Sequence, residues 1–172
     1  MALRVWFREQ LAMYAAYHRD GRNQVTHHFG VPLIVFSILV ALSQVPLIPN
    51  VTLATLALGT LLLLYVVCIP LTGILAAIFY AVVYGAMLKV AEQPQAVIWT
   101  VAGVGFAAGW AIQLVGHFFE GRRPALTVNI LQIFMAPAYL IAELLFRAGF
   151  ERALAADLQS RAVKYLPREG AA

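Results

Sequence analysis

Between Arg22 and Lys89 the chain carries no Asp, Glu, Lys or Arg. Such a run cannot cover the surface of a water-soluble domain. About twenty apolar residues cross a hydrocarbon core, so this stretch is long enough to cross more than once. Composition agrees: 62% of residues are hydrophobic and 12% charged, whereas a soluble domain is about a quarter charged. The expected fold class is therefore an all-α integral membrane protein. At 172 residues it reads as a single membrane domain, 1–172. Within it, 1–22 forms an interfacial helix, 23–119 a four-span core, and 120–172 an interfacial segment and tail.

The N-terminal stretch is no cleavable signal, because Arg4, Arg8 and Glu9 fall where an apolar core would be needed. It reads instead as an amphipathic helix lying in the membrane interface. Leu3, Phe7, Leu11, Tyr14 and His18 recur at spacings of three and four and share one face. Gly21 is a natural C-terminal cap for it, and Asn23 a natural N-cap for the next helix. The expected spans follow: Val31–Val45 with an extra polar turn from Gln24 to Phe29, then Val51–Ile69, Leu71–Leu88 and Ala96–Phe119. Pro46, Pro49 and Asn50 mark a tight turn between the first two, and Pro70 with Gly73 separates the second from the third. Gly103, Gly105 and Gly109 offer close helix contact in the fourth.

Val128–Phe146 is apolar but broken by Pro137 and interrupted by Glu143, and a polar tail with helical spacing at Leu154 and Leu158 follows. With the N-terminal arginines in the cytoplasm, four spans bring Arg122 and Arg123 back to the same side, as the positive-inside rule asks. A fifth crossing would put the basic tail outside. The segment is therefore expected to lie in the interface or to dip in at Pro137, with five spans as the alternative. The net charge of +4 comes from cations clustered at the ends and beside His117. No basic run is interleaved with aromatics, so nucleic acid is excluded as a partner, and membrane lipid is the expected one. The excess of Arg over Lys and the many Ala residues point to a bacterial inner membrane with the N-terminus cytoplasmic. In a eukaryote the location would be the endoplasmic reticulum.

Four spans also bring all the histidines, His18, His27, His28 and His117, to one membrane face. Three of them crowd into Tyr17–Pro32, the last polar ground before the uncharged run. Gln113, His117 and Glu120 lie at i, i+4 and i+7, on one helical stripe. Polar groups at the hydrocarbon edge are functional candidates by default. Plainer roles stand beside each: His18 can simply end an interfacial helix, His117 can cap one, and Arg122 and Arg123 can be topological anchors. His27 and His28 are adjacent on one helix and diverge by about 100°, so only one faces inward, and His28 is left structural or wet. Imidazoles with at most one carboxylate suit Fe(II), Zn or Cu. No Cys ligand pair, dinucleotide or P-loop fingerprint, or GxSxG is present. A zinc hydrolase, a lipid oxidase and a non-catalytic lipid-binding scaffold all remain open on the residues alone.

Two motifs narrow this. Y-H-x4-N-x3-H-x4-P spans Tyr17, His18, Asn23, His27 and Pro32, and G-H-x2-E-x-R-R-P-A-L runs from Gly116 to Leu126. With A-P-x3-I-x-E-x-L-F, from Ala136 to Phe146, the chain resembles the Mpo1-like family over most of its length. The resemblance implies an Fe(II)-dependent dioxygenase that converts a 2-hydroxy long-chain fatty acid and O2 to the acid one carbon shorter plus CO2. It implies His18, His27 and His117 as iron ligands. On that footing Arg122 or Arg123 would neutralise the substrate carboxylate, and Asn23, Gln113 and Glu120 would orient the ligand imidazoles from behind.

Overall fold

The computed structural model describes residues 1–166. Its helices are α1 (Ala2–Ala16), α2 (Gly21–Leu42), α3 (Leu53–Cys68), α4 (Pro70–Ala91), α5 (Gln95–Glu120), α6 (Gln132–Arg147) and α7 (Arg152–Ala162). Single 3-10 turns cover Ala125–Thr127 and Val163–Tyr165. The prolines around Asn50 fold into a small antiparallel hairpin, β1 (Pro46–Ile48) with β2 (Val51–Thr52), pairing Pro46 with Thr52 and Ile48 with Val51. The second apolar run therefore becomes helical only at Leu53, where a capping box between Thr52 and Thr55 starts α3.

The helix starts differ from expectation in one place that matters. The residue that caps α2 is Asp20, in extended conformation, with its carboxylate accepting from the Arg22 backbone N–H at 2.8 Å. Both Asp and Asn are good N-caps, and the earlier one wins. Gly21 is accordingly the first residue of α2, not a left-handed cap on α1, which closes at Tyr17 in right-handed conformation. Asn23 lies inside the helix and is fully buried. At the same end of the bundle core, Gly121 at φ +66° provides the left-handed residue that stops α5.

The dominant packing is α2 antiparallel to α5. A Cβ at Gly30 would stand 2.9 Å from the Gly109 carbonyl oxygen, and one at Gly105 would stand 2.4 Å from Ser37 Oγ. The two helices thus approach so closely that a side chain at either glycine would have no room. Helix α4 folds back on α3, because Pro70 cannot continue α3 and Gly73 leaves no room between it and Val66. Helices α1, α6 and α7 collect at the end where α2 begins and α5 ends. Phe7 of α1 meets Tyr65 of α3, whose hydroxyl donates to the Phe134 carbonyl. Thr72 of α4 bonds Glu151, and Glu9 of α1 pairs with Lys164 at 2.6 Å and Arg161 at 3.4 Å. The expected apolar face of α1 is buried from Phe7 to His18, but Leu3 is half exposed.

Helices α2, α4 and α5 are long and apolar enough to cross a membrane. Only 17% of the most apolar stretch of α5 is buried within the protein, so its apolar surface requires lipid around it. Helix α3, with 16 residues, is about 24 Å long, somewhat less than a hydrocarbon core. Helices α6 and α7 meet at a break bent by 119°. The protein is thus an all-α, membrane-associated bundle, its polar-headed end closed by α1, α6 and α7.

Candidate metal centre

Three separate elements deliver three histidines to that closed end. His18 follows the last turn of α1, His27 lies near the start of α2, and His117 sits in the last turn of α5. They are 3%, 1% and 6% exposed. Their ring centroids lie 4.6, 5.1 and 4.9 Å apart, each pair edge to face. One ring nitrogen from each lies within 4.8 Å of the other two, a group able to hold a metal ion.

Two of the rings are fixed by their own helices. His18 Nδ1 lies 2.8 Å from the Tyr14 carbonyl oxygen, and His27 Nδ1 lies 2.9 Å from that of Asn23. A carbonyl oxygen only accepts, so Nδ1 carries the proton and Nε2 is left with a free lone pair. That is the tautomer a metal requires. Burial, reinforced by the neighbouring His27, holds His18 well below the usual imidazole pKa. It is therefore neutral, as a ligand must be. The Tyr14 ring stacks on His18 at 3.9 Å between centroids and 11° between planes.

The expected supporting residues divide. Glu120 accepts from the Arg19 N–H at 3.0 Å, the Asp20 N–H at 2.8 Å and Asn23 Nδ2 at 3.0 Å. It thereby ties the end of α5 to the α1–α2 junction and to the residue whose carbonyl holds His27. Gln113 is buried one turn before His117 and faces Gly30 across the seam. Arg122 turns towards α1: Nη1 donates to the Ala16 carbonyl at 2.7 Å, and the guanidinium lies 3.9 Å from the Tyr17 ring centre. Arg123 is exposed. His28 points away from the group, with Nδ1 at the Gln24 carbonyl and Nε2 3.9 Å from Glu143.

From the three histidines a cavity of about 530 Å³ runs along α2. Val31, Ile34, Val35, Ile38 and Leu39 line one wall, Leu58, Leu61 and Leu64 of α3 another. Its polar residues are concentrated at the histidine end, where Tyr14, Gln113 and Gln132 join the triad, and neither Arg122 nor Arg123 reaches it. Tyr14 and Gln132 were not singled out as site residues in the sequence. In sequence Tyr14 is one member of an apolar stripe, and its place four residues before His18 is the signal for a stacked ring. Gln132 is 1% exposed and donates to Gln10 at 3.0 Å; a lone glutamine opening an apolar segment gave no such signal.

The family described as 2-hydroxy-palmitic acid dioxygenase Mpo1-like matches residues 5–148, which include all three histidines. The chain is also 32% identical over 154 residues to the 2-hydroxy-palmitic acid dioxygenase MPO1 of Saccharomyces cerevisiae, covering 88% of this chain and 87% of that protein. No solved structure matches.

Proposed function

The chain belongs to the Mpo1-like family, and from that premise we propose that it is an Fe(II)-dependent dioxygenase of 2-hydroxy fatty acids. The observation that carries this reading is the triad of buried imidazoles at one end of an apolar cavity. A 2-hydroxy acid and O2 yield the acid one carbon shorter, CO2 and water. In that balance the substrate supplies all four electrons that O2 takes up, so no further reductant is required.

The residues fit the metal. His18, His27 and His117 offer neutral nitrogens, and imidazole suits iron as well as zinc. Three protein ligands leave positions for small molecules. Fe(II) held there would supply redox chemistry towards O2 and a Lewis acid for the carboxylate and 2-hydroxyl. The chain does the rest. The carbonyls of Tyr14 and Asn23 hold two imidazoles in the ligating tautomer. Glu120, through Asn23, and Gln113 support the same group from behind. The apolar walls exclude water from the reacting end. Arg122 secures the chain before His18. Arg123, exposed at the surface, meets the acid's carboxylate as it arrives from the lipid headgroup region. The N-terminus is assigned to the cytoplasmic side, of the inner membrane in a bacterium.

The same three imidazoles also form the ligand set of catalytic zinc, which gives the rival reading of a zinc hydrolase. Elemental analysis of protein purified without added metal separates the two. Oxygen uptake with 2-hydroxypalmitate, with and without Fe(II), then tests the activity. Iron content near one per chain, lost in His27→Ala and His117→Ala that still insert, and Fe(II)-dependent uptake are expected. Full iron occupancy in both variants, or zinc with no uptake, refutes the proposal.

A further inference from the structure

We infer that the groove between α2 and α3 is a ruler for the substrate's acyl tail, with Leu42, Leu53 and Leu56 setting the length it accepts. The inference rests on the dioxygenase reading for the identity of the head, but on separate geometry for the tail.

The cavity is strongly polarised. The triad, Tyr14, Gln113 and Gln132 gather at one end, and beyond them the walls are apolar, mostly aliphatic with Trp110 and Phe134 among them, Thr60 excepted. A molecule that fills it must have one compact polar head and a long, unbranched apolar tail. The lining reaches Leu42 on α2 and Leu53 on α3. Just beyond, the hairpin joins the two helices, and the Leu53 N–H bonds the Val45 carbonyl at 2.9 Å. His27 to Leu42 is fifteen residues of helix, about 22 Å at 1.5 Å per residue. An extended chain of ~1.5 Å C–C bonds advances about 1.25 Å per carbon. The groove therefore takes roughly eighteen carbons, those of the head included, before the tail meets the hairpin.

The groove is also open on one side. Leu56 lines it and is 55% exposed. Helix α5 contributes only Trp110, Gln113 and His117 to the lining, all in its second half. The tail can thus enter sideways from the bilayer while the head is received at the triad, with no need to thread end-on. Longer tails would leave through the same side near Leu56 and lose apolar contact with the walls.

A methylene kept out of the groove stays in lipid, which is as apolar as the walls, so the preference falls only by the packing contact it forfeits. Filling the far end with an indole, as in Leu53→Trp, takes the room of the last few carbons and shifts the preference between 18- and 12-carbon 2-hydroxy acids several-fold towards the shorter. Leu56→Trp, at a half-exposed position that tolerates bulk, shifts it in the same direction and guards against misfolding of the first variant. In parallel, the wild-type protein in nanodiscs is photolabelled with 2-hydroxypalmitate carrying a diazirine at the tail terminus or at mid-chain. Terminal label is expected within 39–57 and mid-chain label at 31–38 or 58–64. An unchanged length preference in both variants, or terminal label on α4 or the outer face of α5, overturns the ruler. Labelling needs no turnover. Correct labelling without oxygen uptake supports the groove while refuting the dioxygenase reading, and uptake with misplaced terminal label does the reverse.

Discussion

Replacing Gly116 by alanine tests whether the α2–α5 seam is what holds His27 and His117 together. A methyl group there would start 2.0 Å from Thr26 Oγ1, 2.5 Å from Asn23 Oδ1 and 3.1 Å from Asn23 Cα. The Thr26 hydroxyl could rotate away only by giving up its 2.7 Å bond to the Asn23 carbonyl, the same carbonyl that fixes His27. Asn23 is itself held by Glu120, and its backbone cannot move without α2. The strain is relieved by parting the two helices by about 1 Å at this end. Overpacking of this kind costs about 1–3 kcal/mol, against which alanine returns at most ~1 kcal/mol of helix propensity. A net loss of about 1–2 kcal/mol is expected.

The metal should respond more than the fold, because the helices part directly beside a proposed ligand. Loss of supporting geometry around a metal lowers affinity about 10–100-fold. The assay is chelator competition for the metal dissociation constant, alongside thermal unfolding in detergent. Gly103→Ala, on the same helix but with no atom within 4 Å of the new methyl, controls for propensity and should keep the wild-type metal affinity. Adding Thr26→Ala to Gly116→Ala removes the worst contact and should recover part of the loss. A Gly116→Ala protein with unchanged metal affinity and midpoint would refute the reasoning.

Three further outcomes follow from the same geometry. His28→Ala should leave metal content unchanged, measured by elemental analysis, because that ring faces Gln24 and Glu143. Arg122→Ala should cost about 1–2 kcal/mol through the lost carbonyl bond and ring contact and lower metal occupancy, with Arg122→Lys restoring little of either, since lysine lacks the planar fork. Burial alone would raise the Glu9 carboxyl, but the hydrogen bonds from Lys164 and Tyr165, the Lys164 charge and Arg161 outweigh it and hold it below its ordinary 4.5. A depressed carboxyl stabilises above its unfolded pKa and loses that contribution as pH falls through the folded value. The α1–α7 junction should therefore loosen below about pH 4.5, read as faster hydrogen exchange in 152–165, and Glu9→Gln should show that faster exchange at neutral pH as well.

How much of this was legible in the sequence depends on the range of the interaction. The uncharged run and the prolines determine where helices can run and stop, and both act within a few residues. Returning four spans to one face was enough to predict that the start of α2 and the end of α5 meet, although residues 27 and 117 are far apart in the chain. Two local rules were too permissive to choose. Asp20 and Asn23 are equally good caps, and only the α5 carboxylate, which draws Asn23 inside, decides between them. Gly103, Gly105 and Gly109 look alike in sequence, yet a Cβ at Gly103 meets nothing, while Gly105 and Gly109 press on α2. The orientation of Arg122 was out of reach for the same reason: its partner Ala16 is 106 residues away.

The two sequence motifs make sense as halves of one clasp. His27 and His117 are carried by long helices whose seam sets their separation, but His18 belongs to no helix and would otherwise be free to move with the α1–α2 connection. The second motif supplies what that connection lacks. Arg122 holds the Ala16 carbonyl on one side of His18. Glu120 holds the Arg19 and Asp20 amides on the other. Four residues after His18, Arg22 lies 4.5 Å from the Phe119 ring, closing the same junction from α2. A single stretch at the end of α5 therefore contributes one histidine and positions another. Damage to Arg122 should displace His18 first and leave the pair on the seam in register, damage to Gly116 should do the opposite, and damage to Glu120, which also holds Asn23, should disturb both. Metal-binding losses from Arg122→Ala and Gly116→Ala should accordingly come closer to adding in a double variant than those from Glu120→Gln and Gly116→Ala, which share Asn23.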